Sequence, residues 1–115
     1  MNKVVLMGRL TKDPDVRIVQ GGDPLKIARY TLAVDRIREG ADFISCKCFG
    51  KTAEFAGKYL QKGTKILVEG QIQTGKYERN GETVYTTDVI VDHHEFCERK
   101  RQDDFQDEYP EDLFA

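Results

Sequence analysis

The 115-residue sequence has no tryptophan, a single serine (Ser45), three prolines and three cysteines. Without Trp, any flat stacking surface has to come from Phe, Tyr or His. With Ser45 alone there is no nucleophile elbow, and no Gly-rich phosphate loop of the P-loop or dinucleotide type occurs. The odd cysteine count, with Cys46 and Cys48 in one strand-like segment, argues against a disulfide-stapled secreted domain and fits a reducing cytoplasm. No apolar run approaches the ~20 residues needed to span a bilayer. The opening Met1–Arg9 has only four consecutive apolar residues, so no secretory leader is expected there. The length is that of one domain.

Net charge is also small, −2 with an isoelectric point near 5.7, which on a whole-chain average argues against a nucleic-acid binder. The average hides an asymmetry. Residues 1–101 carry all 18 Lys and Arg against 14 acids, a surplus of +4, whereas residues 102–115 carry six acids and no base. A basic body with an acidic tail is a different object from a mildly acidic globule.

Residues 2–10 read as a strand with both faces largely apolar, ended by Asp13-Pro14-Asp15. Residues 25–34 read as a second strand, with Ala28, Tyr30, Leu32 and Val34 as its apolar set. In the third, residues 43–49, Phe43, Ser45, Lys47 and Phe49 share one face and Ile44, Cys46 and Cys48 the other. The spacing predicts a helix over 53–62, capped by Thr52, with Glu54 in its first turn and Gly63 as its stop; Phe55, Ala56, Tyr59 and Leu60 form its apolar stripe. Two long strands follow, about 65–77 and 83–91, joined by Asn80-Gly81, a type I′ hairpin signal. After Phe96 the chain is charged and featureless. The expected organisation is one domain over residues 1–96 and an acidic, disordered tail over 97–115.

An antiparallel sheet of this size leaves open edges unless it closes. Five strands with one helix before the fourth make an all-β fold with one helix: a five-stranded Greek-key barrel, the OB-fold, here with an extended hairpin joining its last two strands.

Cys46-Lys47-Cys48 and His93-His94-Glu95-Phe96-Cys97 invite a metal reading. Zinc-binding Cys pairs usually have two to four residues between them. One intervening residue on a strand sends both thiols to the core face, where they serve as small apolar fillers. His93 and Cys97 have helical spacing, but their segment leaves a strand. No metal and no cofactor are expected, and both His are expected at solvated or interface positions. Binding a single strand needs flat π-surfaces beside cations. Phe43 and Phe49 stand six residues apart on one face, about 20 Å along a strand. Tyr77 sits near the hairpin tip with Lys76 and Arg79 beside it.

The segments Asn2–Leu10, Asp13–Arg17, Phe49–Glu54, Tyr59–Gly63, Val68–Ile72 and Tyr85–Val89, in this order and spacing, resemble the bacterial single-stranded DNA-binding protein family from Asn2 to about Val91. The resemblance implies a non-enzymatic OB-fold homotetramer, cytoplasmic and nucleoid-associated, that wraps single-stranded DNA in replication, recombination and repair. It puts Phe43 and Tyr77 where the family commonly has stacking Trp, and Phe49 on its Phe platform. Lys51, Lys62 and Lys76 match its backbone-contacting cations. Ser45 and Lys47 fall on DNA-facing strand positions, with Arg29, Thr31 and Arg79 completing the expected DNA-binding set. The resemblance also makes the tail a dock for replication and repair proteins. Relatives end in acids, an aliphatic residue, Pro and a terminal Phe; here Asp112, Leu113, Phe114 and Ala115 close the chain, with Pro displaced to 110. Two rival functions are an accessory OB-fold binding module of a replication-restart or mobile-element system and a zinc-dependent enzyme.

Overall fold

The computed structural model describes residues 1–98; the terminal set Asp112, Leu113, Phe114 and Ala115, and nearly all of the expected tail, lie outside the described residues. The elements are β1 (Val4–Leu10), β2 (Asp15–Val19), β3 (Leu25–Asp35), β4 (Ala41–Phe49), α1 (Gly50–Tyr59), β5 (Lys65–Arg79) and β6 (Glu82–Phe96). β1 pairs antiparallel with β5, β5 with β6, and β4 with β3, while β4 and β6 run parallel. Arg9↔Ala33 and Leu10↔Leu32 then join β1 to β3 and close a ring of five strands, as expected of an OB barrel.

β2 is a sixth strand that the sequence reading missed. It lies outside the ring, on the stretch of β3 from Leu25 to Arg29. Asp13-Pro14-Asp15 interrupts the extended chain for only a few residues. Pro14 stands just before β2, where its missing N–H costs no ladder bond. Val16 is the one β2 side chain that packs against the core. β1 also departs from expectation: only one of its faces is covered, and Val5 and Met7 are exposed.

The helix begins earlier than predicted. Phe49, still extended, is its N-cap, and no side chain caps it. Thr52 is therefore inside the first turn and Glu54 beyond it. β4 runs directly into α1, and Gly50, with φ 62°, makes the turn between them. The helix ends at Tyr59, where the Leu60 N–H donates to the Ala56 carbonyl, and Gly63 serves the following loop instead (φ 89°). Ala53, Ala56 and Leu60 are its buried stripe; Phe55 is half-buried and Tyr59 exposed.

The helix residues meet a core of Leu10, Ala28, Tyr30, Leu32, Cys46, Cys48, Ile66, Val68, Val89 and Val91. Burial pushes the Cys46 thiol up to about 12 and the Cys48 thiol to about 11, so both are packing groups rather than nucleophiles. Along β5 the alternation is regular to Gly70, and every later residue is exposed. The change coincides with a shift of pairing register at Glu69–Gly70. The strands touch closely there: a Cβ on Gly70 would run into the Ile90 carbonyl. Past Gln73 and Asp88, β5 and β6 form a two-stranded arm, turned by Asn80 (φ 52°) and Gly81 (φ 82°), the double positive φ of a type I′ turn. β6 also runs five residues past the expected Val91, which places His93 and His94 inside a strand.

Candidate nucleic-acid interface

Strand pairing decides which side chains share a surface. Across β3 and β4 the partners are Ile27↔Phe49, Arg29↔Lys47, Thr31↔Ser45 and Ala33↔Phe43. All of these alternate with the buried set Ala28, Tyr30, Leu32, Cys46 and Cys48, so they face outward. The parallel step Lys47↔Ile90 carries the surface onto β6, and Gln71↔Ile90, Gln73↔Asp88, Tyr77↔Val84 and Arg79↔Glu82 carry it along the arm. One continuous outer face therefore holds Phe43, Phe49, Tyr77, Arg29, Thr31, Ser45, Lys47 and Arg79. Phe43 is 69% exposed, Tyr77 48% and Phe49 37%, so the first two rings are free platforms and the third is partly seated.

Local contacts order this face. Lys47 Nζ lies 5.8 Å from the centre of the Phe49 ring, a cation–π approach that holds a charge beside an aromatic plane. Ser45 Oγ donates to Asp88 Oδ1 at 2.7 Å, tying β4 to β6 where only two residue pairs join them. Arg36 donates from Nε and Nη2 to Asp42 Oδ1 at 3.0 and 2.8 Å, bracing the loop before Phe43 and holding the Asp42 carboxyl below its usual range. Beside Ser45 a shallow groove of about 230 Å³ is lined by Lys12, Asp15, Arg29 and Thr31 among others.

Three expected cations stand apart from the face. Lys51 is on the exposed side of α1, and Lys76 points to the other side of the arm, opposite Tyr85. Lys62 lies in the loop after α1, where its backbone N–H donates to Asp13 Oδ1 at 2.7 Å. The structure adds three residues that the sequence reading did not single out. Lys12 enters the groove through the β1–β2 turn, which no periodicity marks. Asp88 lies one residue before the buried Val89, and that parity was its available signal. Tyr85 is 76% exposed on the arm.

The expectation of two solvated or interface His fails for His94. Its Nε2 lies 2.7 Å from the buried Tyr30 hydroxyl, and its ring stacks on Phe55 at 5.5 Å. Burial, with His93 alongside, pushes its pKa down to about 4, so the ring is neutral and serves packing. Among the described residues no group of three or more His, Cys, Asp or Glu converges on one point. The arrangement offers stacking and charge.

A family profile described as the single-strand binding protein family matches residues 1–97. The chain is 50% identical over 101 residues to a single-stranded DNA-binding protein of Clostridium perfringens, covering 85% of this chain and 67% of that one. It is 46% identical over 108 residues to a protein of the same name from Fusobacterium nucleatum, covering 87% and 69%. Against single-stranded DNA-binding protein 1 of Staphylococcus aureus the identity is 42% over 113 residues, covering 92% and 71%.

Proposed function

This chain belongs to the single-strand binding protein family, and we propose that it binds single-stranded DNA without sequence preference through the outer face of β3, β4 and the β5–β6 arm. The carrying observation is the alternation along that face of exposed rings (Phe43, Phe49, Tyr77) with cations (Arg29, Lys47, Arg79) on one continuous sheet surface. Every base offers a π-face and every nucleotide a phosphate, so rings and cations side by side grip a strand without reading it. Thr31 and Ser45 add hydroxyls between them. Lys51, Lys62 and Lys76 extend the positive potential to the flanks and draw the strand in. Members of this family bind rather than catalyse.

The protein assembles as a homotetramer. Val5 and Met7 leave apolar surface exposed on the outer side of β1, and from Val4 to Met7 the edge of β1 away from β5 has no strand partner among the described residues. An uncovered apolar strand with a free edge is a ready surface for a second copy. Its place is the cytoplasm, at the nucleoid, in replication, recombination and repair, with Asp112, Leu113, Phe114 and Ala115 as the segment that partner proteins read. Deleting residues 102–115 removes six acids and no base, and tightens DNA binding most at low salt, where tail and strand compete for the same cations.

Titration with poly-dT at two salt concentrations, with mass read by light scattering, tests this reading. Tetramers that bind dT tightly and lose affinity with salt are expected. A dimer that binds weakly and only to short sites would instead place the chain among accessory OB-fold modules, and stoichiometric zinc would point to the enzyme class.

A further inference from the structure

The arm has two faces, and the interface described above uses one of them. On the other, Lys76 stands directly across from Tyr85, and Thr74 across from Thr87. Cross-strand partners on one face lie within about 5.5 Å at Cβ, so this ammonium and this ring form a single station. Tyr85 is 76% exposed, more open than Phe43. A cleft of about 410 Å³ is lined by Thr74, Lys76, Tyr85 and Thr87 of this face and by Gly75 and Thr86 of the other. Lys76 makes no ion pair among the described residues, and the one carboxylate sharing its face on β5 is Glu78, nearer the tip. A largely exposed ring, beside a cation with no ion pair among the described residues and threonine hydroxyls, has the same composition as the outer face.

We propose that Tyr85 and Lys76 form a second single-strand station, so that the bound strand crosses the arm and continues along its far side. This rests on the strand-binding reading of the first face and assigns the path beyond it: one base stacks on Tyr85, Lys76 meets the adjoining phosphate, and the threonine hydroxyls donate to the backbone.

The test titrates a labelled dT oligomer of about 16 nucleotides, the upper end for one OB-fold, into the full chain and its variants. Tyr85→Ala is expected to weaken binding about tenfold, the loss of one base stack. Tyr85→Phe retains wild-type affinity, because the ring and not the hydroxyl carries the contact. Photocrosslinking of 5-iodouracil oligomers is expected to label Tyr85. Wild-type affinity in Tyr85→Ala beside weakened Tyr77→Ala overturns the second station and leaves the first face standing. An unaltered chain that fails to bind dT removes both readings. A fall in the light-scattering mass of Tyr85→Ala overturns the proposal in favour of contact between copies.

Discussion

The two faces of β4 use the same nine residues for opposite ends. Inward, Cys46 and Cys48 are at most 1% exposed and stand across from Tyr30 and Ala28 of β3, and Ile44 packs against the core from across Leu32. Outward, Phe43, Ser45, Lys47 and Phe49 keep large rings and a charge in solvent, held in place by Asp88 and by the Lys47–Phe49 contact. An inward ring lowers the folded-state free energy by leaving water. An outward ring forgoes part of that gain, and on the proposed interface it keeps it for a base. On that proposal stability and binding are separated by single-residue alternation, and a slip of one residue in register would exchange them.

The hardest way to break that separation is to cut the inner side. Leu32→Ala removes a fully buried aliphatic chain that lies across from Ile44 and is expected to cost roughly 2–5 kcal/mol of stability. The folded fraction should bind dT as wild type does. Ile44→Ala is expected near the lower end, about 2 kcal/mol, because Ile44 is only half-buried. Thermal melts beside titrations decide this, and a loss of affinity that exceeds the loss of folded protein would show that the faces are coupled.

Outer-face truncations should do the reverse. Phe43→Ala and Tyr77→Ala are each expected to weaken dT binding by roughly 1–3 kcal/mol, the range for one base–aromatic stack in single-strand binders, this family among them. Their melting temperatures should move little. Phe49→Ala sharpens the comparison, since its ring belongs to the proposed platform, is the most covered of the three, and stands at the N-cap position of α1. It is expected to lose affinity and some stability together. A Phe43→Ala protein that melts early yet binds normally would invert the assignment of the faces.

Acid probes a third kind of contact, a polar one inside the core. His94 titrates near 6.5 when free and at about 4 in the fold, so folding favours its neutral form. A base with a lowered pKa contributes stability that is complete above pH 6.5 and is lost as pH falls toward 4. His94→Gln keeps a polar partner for Tyr30 but does not titrate. Its melting temperature should therefore fall less between pH 6.5 and 4 than that of wild type, and parallel falls would remove His94 as the cause.

The sequence made β4 legible because its two residue sets alternate without a break and differ sharply in chemistry. The Asn80-Gly81 turn was legible for a local reason: few residue pairs accept two positive φ values in succession. β2 was not, since four of its five side chains are exposed and its one core contact, Val16, is too little to set a period. The start of α1 was hidden because no side chain caps it and the turn into it is made by Gly50 at φ 62°. His94 was hidden because its partners Tyr30 and Phe55 are 64 and 39 residues away in sequence, and only barrel closure brings them together. Within the candidate interface, period two picked out the β4 residues, the place of the Asn80-Gly81 turn picked out Tyr77 and Arg79, and Arg29 and Thr31 came with the family resemblance. Lys51 and Lys62 came from the family resemblance, and the fold sets them off the sheet face.

The gentlest probe of the outer face is a single charge. Lys47 is flanked by Phe49 along its own strand and by Arg29 across it, so it sits where the rings and cations of the surface meet. If it touches a phosphate, binding a short dT oligomer releases the counterion that the phosphate held, and the dependence of log affinity on log salt gains about −0.7 from that contact. Lys47→Met keeps the length and apolar stem but removes the ammonium. Its salt slope should be shallower by about 0.7, its melting temperature close to wild type, and its affinity loss largest at low salt, closing as the Debye length shrinks. Lys51→Met, on the helix, then ranks the flank against the face: a cation that steers without contact raises the association rate but adds no full increment to the slope. Equal slope changes for Lys47→Met and Lys51→Met would extend the binding surface onto α1, and an unchanged slope in Lys47→Met would take the phosphate path off β4.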